Sequence, residues 1–145
     1  ERSVPERLLS LAFAGLVAGG LVLAAAPDWI GLAWLNRGVD RAFFQTADPT
    51  AGAIELRRWL YGVEGSTLVA FGILGFAVVR TAVRQGEPWA WKALALAVGT
   101  WFLLDTSISM AHGVWENAAL NVVIALVVLI PTLALRIRRR PPAPS

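Results

Sequence analysis

The residues of this chain best suited to chemistry lie in one stretch, WFLLDTSISMAHGVWENAALN (Trp101–Asn121). It holds Asp105 within an apolar run, the only histidine (His112), and Glu116, Asn117 and Asn121. A second acid, Glu64, lies inside another apolar run. An acid at membrane depth is unfavourable by about 2.5–3.5 kcal/mol at the centre of a helix, and by less near the interface. Asp105 is therefore expected to be protonated, hydrogen-bonded to Asn121 or Ser109, or paired with an arginine. Two nearby acids raise one another's proton affinity, which suits a general acid or a proton carrier. His112 and Glu116, four residues apart, could ligate a metal from one helical face. With Gly113 between them and no second histidine, a solvated turn is the expectation. Trp101, Asp105 and Ser109 share a helical face, so Trp101 could stack on a flat ligand or simply pack in a core.

The elements that must position these groups are apolar and long. Residues 8–26, 59–79, 89–110 and 117–135 each read as a membrane span, since about 20 apolar residues cross a hydrocarbon core of about 30 Å. The first run, with Arg7 before it and Ala24-Ala25-Ala26 at its end, also has the outline of a signal peptide. It is longer than a typical signal core, so it is read as span one. Gly15 and Gly19 give it a GxxxG face for close helix approach. Gly72 and Gly75 fall near one face of span two, close to that of Glu64.

Residues 27–58 mix Trp29, Trp34, Phe43 and Phe44 with acids and arginines, which predicts one or two interfacial helices over Asp28–Phe44. Asp48 and Pro49 predict a helix start, with Asp48 as N-cap. Pro131 is expected to kink or loosen the end of span four. The expected fold is an all-α integral membrane bundle of four spans, a single domain over 1–135. Residues 136–145 read as a basic, proline-rich cytoplasmic tail.

Composition and charge placement agree with that architecture. The 145 residues are 57% hydrophobic and 16% charged, against about 25% charged in ordinary soluble domains. The net charge of +3 comes from groups at the ends of apolar runs, which argues against a nucleic-acid partner. Nine basic residues fall on the side of the termini and four on the other, where Asp28, Asp40, Asp48 and Glu55 match them. The positive-inside rule then places both termini in the cytoplasm. Trp29, Trp34, Trp59 and Trp115 fall at one interface and Trp89 and Trp91 at the other.

Cysteine is absent, which removes disulfides, thiolate metal sites and dithiol redox chemistry. A single histidine cannot give a bis-histidine haem within one chain. No phosphate-binding glycine loop, GxSxG, HExxH or mid-span lysine for a Schiff base is present. No cofactor and no metal is therefore expected, and an enzyme is the less favoured reading.

From Trp59 onward the sequence resembles a family of small bacterial four-span membrane proteins of uncharacterised function. The resemblance is carried by Leu60-Tyr61-Gly62 with Gly65, by Gly86-Glu87-Pro88-Trp89-Ala90-Trp91, and by Trp101-Phe102 with Asp105, Ser109 and Gly113. It continues through Trp115, Asn117, Ala118, Leu120 and Asn121. Glu64 and His112 stand outside that pattern. The resemblance implies a four-helix membrane bundle in the bacterial inner membrane and no particular activity.

Antiparallel threading brings Glu64, Asp105, Asn117 and Asn121 to similar depth, below His112 and Glu116, as an outward-facing polar pocket between spans two, three and four. Structural ties between helices are the plainer account of these groups, with Asn117 as a helix N-cap. Two functions follow. One is an accessory or scaffold subunit packing against other membrane-protein chains or its own copies. The other is binding or conversion of a lipophilic small molecule at Glu64, Asp105 and Asn121.

Overall fold

A computed structural model describes residues 3–45 and 48–138, and its regular structure is helical throughout. Helix α1 (Val4–Ala25) opens with Pro5 in its first turn, and the backbone N–H of Ser3 donates to Glu6 at 3.2 Å. A 3-10 turn (Ile30–Leu32) leads into α2 (Ala33–Phe44). Then come α3 (Ala51–Val78), continued by a π-helical segment at Val79–Val83, α4 (Pro88–Ala111) and α5 (Trp115–Arg138).

Four of these helical stretches are long and apolar enough to cross a membrane: Val4–Ala25, Ala51–Val83, Pro88–Ala111 and Trp115–Leu135. Their outward faces are greasy. Leu96 is 71% exposed and Leu11 68%, with Ile73, Leu74, Leu103, Leu104, Ile108 and Ile130 similarly bare. Apolar surface on that scale has no place in water, and helices that satisfy their own backbone bonds are a solution for lipid. The chain is a multi-pass α-helical membrane protein.

The helix boundaries extend most of the expected spans. The stretch Ala51–Val83 has 33 residues, about 50 Å of helix against a core of about 30 Å. Its first two turns, which carry Glu55, Arg57 and Arg58, therefore stand outside the hydrocarbon. The start of α3 differs from expectation. Thr50, not Asp48, is the N-cap, with its hydroxyl accepting from Ala53 N at 3.3 Å. Thr50 itself is extended (φ −62°, ψ 160°), so the helix begins after it and Pro49 lies outside. At the other end, α5 runs on through Arg138, into the expected tail; residues 139–145 lie outside the described residues.

Pro131 sits inside α5 without ending it. Proline removes one backbone donor from the ladder, and Thr132, fully buried beside it, turns its hydroxyl to the carbonyl of Val128 at 2.7 Å.

The main seams are α1 with α3, α4 with α5, and α1 with α5. The core lies between them: Leu9, Phe13 and Leu16 of α1, the π segment, Val98 of α4 and Val128 of α5. In the α1–α3 seam glycine is required. A Cβ on Gly20 would stand 2.6 Å from the Gly65 carbonyl oxygen, and one on Gly65 would stand 2.5 Å from that of Gly20. Further along, Gly72 meets Val17 and the Phe13 backbone, and Gly75 lies under the Phe13 ring.

Gly15 and Gly19, by contrast, have nothing within 4 Å of where a Cβ would be. Among the described residues the expected GxxxG pair makes no close helix contact. The residue that does is Gly20, one position on and about 100° around the helix.

Candidate functional site

The two ends of the bundle differ. The end near the termini is closed by the π segment and the turn at Gly86, whose φ of 87° suits glycine. The other end carries α2, which lies across the tops of the spanning helices and is fixed by charges.

Arg57 of α3 pairs with Asp40 of α2, and both are buried, at 6% and 7% exposure. Arg57 also reaches Asp28 at 3.3 Å, and Arg58 binds Asp28 at 2.7 Å and Glu55 at 2.5 Å. The hydrogen bond from Arg58 holds the Asp28 carboxyl below the usual carboxylate range. Asn36 of α2 donates to the Pro27 carbonyl at 3.0 Å, tying α2 to the end of α1. On the far side Arg41 of α2 pairs with Glu116 at 2.5 Å, and the Glu116 side chain lies against Gly38, where a Cβ would collide with it.

Beneath this cap the expected polar residues separate into three groups. Asp105, Ser109 and Asn117 form a closed network. Asn117 Nδ2 donates to Asp105 Oδ1 at 3.0 Å and to Ser109 Oγ at 2.8 Å, and Ser109 Oγ donates to Asp105 Oδ1 at 3.1 Å. The acid is thus met by Ser109 and by Asn117. Asn121, the partner expected from sequence, is used elsewhere: it is 2% exposed and its Nδ2 reaches Thr106 Oγ1 at 3.4 Å. Asn117 is also no N-cap, because α5 begins two residues earlier at Trp115.

His112 and Glu116 form the second group, outside the pocket expected for them. His112 ends α4, exposed, with its ring 5.5 Å from that of Phe43 of α2. Glu116 is occupied by Arg41. Both serve the contact between α2 and the α4–α5 corner.

The third group lines a groove. A cavity of about 770 Å³ runs between α1 and α5, from Leu8 to Leu23 on one side and from Asn117 to Pro131 on the other. Trp29, Leu32 and Leu35 close it at the α2 end, and Glu64 and Leu68 of α3 and Trp101 of α4 contribute to the wall. The groove therefore lies along span one, which the sequence reading had left out of the pocket. Gly15 and Gly19 are part of its lining.

Glu64 opens onto this groove, with Asp105 as its acidic neighbour. The sequence pattern had it facing packed helices together with Gly72 and Gly75. It is Gly65, seven residues before Gly72, that shares their line, and Glu64 is turned about 100° away. Among the described residues no cationic side chain pairs with Glu64.

Asp105 and Ser109 stand behind the lining through Asn117. Of the eight polar-pocket residues expected from sequence, Glu64, Trp101, Asn117 and Asn121 line the groove. The fixing of α2 by Asp28, Asp40, Arg57 and Arg58 was missed as a structure. Its signal was the equal number of acids and arginines between spans one and two.

The chemistry available is recognition. The groove is an apolar channel with a small polar end, formed by one carboxyl and two amides with the Trp29 indole, while Trp101 lies lower in the wall against the core beside Leu16 and Val128. Compared with known proteins, the chain matches no protein-family model, no curated protein and no solved structure.

Proposed function

We propose that this protein holds one elongated lipophilic molecule in the α1–α5 groove, with its apolar length along α1 and its polar end beside Glu64, Asn117 and Asn121. The observation that carries this reading is the groove itself. Its volume of about 770 Å³ falls within the range of roughly 300–1,000 Å³ typical of small-molecule sites, and its wall is apolar with polar groups gathered at one end. The test is to purify the protein in lipid nanodiscs and identify co-purifying small molecules by mass spectrometry, beside a Gly19→Leu variant. Gly19 has open space around it, so leucine fills the groove without displacing a neighbour. A single species in fixed ratio to the protein, lost in Gly19→Leu, is the expected result. Bulk lipid alone, equal in both samples, overturns the reading.

One observation favours a second reading, an accessory subunit packing against a larger membrane complex. Gly15 and Gly19 leave one face of α1 bare, which suits the close approach of a helix from another chain or a second copy. Retention of a stoichiometric partner by the wild type, and its loss in Gly19→Leu, is expected there. A stable monomer in mild detergent counts against it.

For location we propose the bacterial inner membrane, with both termini cytoplasmic, in line with the family resemblance over residues 59–135. Support comes from the sequence, in which nine basic residues flank the spans on the side of the termini and four fall within residues 27–58. Reporter fusions to each terminus, active only in the cytoplasm, test the orientation.

A further inference from the structure

We propose that the polar end of the groove is a subsite for a cationic head group, so that the occupant is a single-chain amphiphile ending in an amine or quaternary ammonium. This rests on the groove reading above.

The first argument is the sign of the groups on offer. Asn117 spends both of its N–H groups on Asp105 and Ser109, and Asn121 directs one of its two to Thr106, which leaves the two Oδ1 atoms as acceptors and a single Asn121 N–H. Glu64 adds a carboxyl. Among the described residues the lining holds no Lys, Arg or His, so the polar end offers the Glu64 carboxyl and the two amide oxygens with no cationic donor beside them. Three of the four arginines at the α2 end are engaged, Arg57 and Arg58 by Asp28, Asp40 and Glu55, and Arg41 by Glu116. Arg37 is exposed on α2 and is not part of the groove lining. An ammonium supplies the counter-ion that Glu64 lacks, and does so where water competes weakly.

The second argument is aromatic. Trp29 lines the groove at its α2 end, and indole faces attract organic cations through the ring quadrupole. The third is the wider field. The α2 end carries seven acids, counting Glu64, Asp105 and Glu116 with the four of residues 27–58, against four arginines. A carboxylate or phosphate head would be set against Glu64 and Asp105 with no cation among the described lining residues to offset them. The same repulsion disfavours a bilayer phospholipid, whose phosphate accompanies any amine it carries. The occupant is a free amphiphile.

The experiment uses the full chain in phosphatidylcholine nanodiscs and three photoactivatable probes of the same long alkyl chain, ending in a primary amine, an alcohol or a carboxylic acid. Labelled peptides are mapped by mass spectrometry. The amine is expected to label residues 8–23 and 117–131 roughly tenfold more than the acid, the scale of one hydrogen bond to a charged group. Glu64→Gln should bring the amine down to the alcohol's level and leave alcohol labelling unchanged, which also shows the variant to be folded. Glu64→Asp should keep the preference.

Equal labelling of the groove by all three probes, a preference for the acid, or an amine preference that survives Glu64→Gln overturns the cationic subsite and leaves the groove reading standing. No labelling of the groove by any probe overturns both.

Discussion

Helix α1 shows two glycine faces, and they do opposite things. On one side Gly20 meets Gly65 backbone to backbone, with Gly72 and Gly75 of α3 continuing the seam past Phe13. On the other side Gly15 and Gly19 meet nothing and line a groove. The same residue type thus allows a close seam on one face and leaves space on the other. A small residue permits approach without supplying attraction. What closes the α1–α3 seam is the fit of Phe13 and Val17 over the glycines of α3, while α5 presents no such ridge to Gly15 and Gly19.

Substitutions can break this comparison at either face. The largest effect is expected at the seam. Gly65→Leu would drive a side chain into the Gly20 backbone, which cannot yield as a flexible side chain does. It should abolish the folded monomer, read as loss of the monodisperse peak in size-exclusion chromatography in mild detergent. Next comes the cap over both faces. Asp40→Ala leaves Arg57 buried without its closest partner and should cost about 3–5 kcal/mol in reversible denaturant unfolding. Asp105→Ala removes the acceptor shared by Ser109 and Asn117 and should cost about 1 kcal/mol in the same assay.

At the open face Gly19→Leu should leave stability unchanged or raise it by up to about 1 kcal/mol, since leucine is the better helix former. A strong destabilisation there would show that the groove is a packed face after all. The smallest effect is one of pH. Asp28 has a lowered pKa in the folded protein because it accepts from Arg58, so it contributes stability that is full above its unfolded pKa. That contribution is lost as pH falls through the folded value, below the usual carboxylate range. Hydrogen exchange at Trp29–Leu32 should rise on acidification through that window, and Asp28→Asn should remove the dependence.

The spans and the interfacial helix were legible because hydrophobic length and amphipathic pattern are local properties. The site was legible only in part. Depth along each helix follows from counting residues, and antiparallel threading of α4 and α5 does bring Asn117 to Asp105 and Asn121 to Thr106. Rotation about each helix does not follow from counting. An error of about 100°, one residue, separates Gly19 from Gly20 and Glu64 from Gly65. The choice of Asn117 over Asn121 as the partner of Asp105 depends on how α4 and α5 are rotated against each other. The exchange of Thr50 for Asp48 as a cap is a matter of two residues. The buried Arg57–Asp40 pair depends on where α2 lies, and no local pattern specifies that.

One feature of the groove bears on how it would be filled. Many of its lining residues, among them Leu11, Val123, Val127 and Ile130, are exposed along the apolar flank of the bundle, while the α2 end is covered by Trp29, Leu32 and Leu35. Its mouth therefore faces sideways into the bilayer. A ligand would enter and leave by lateral diffusion within the leaflet, and occupancy would follow its mole fraction among lipids, not its concentration in water. An affinity measured against aqueous ligand would change with the amount of membrane in the sample; expressed per lipid, it would not.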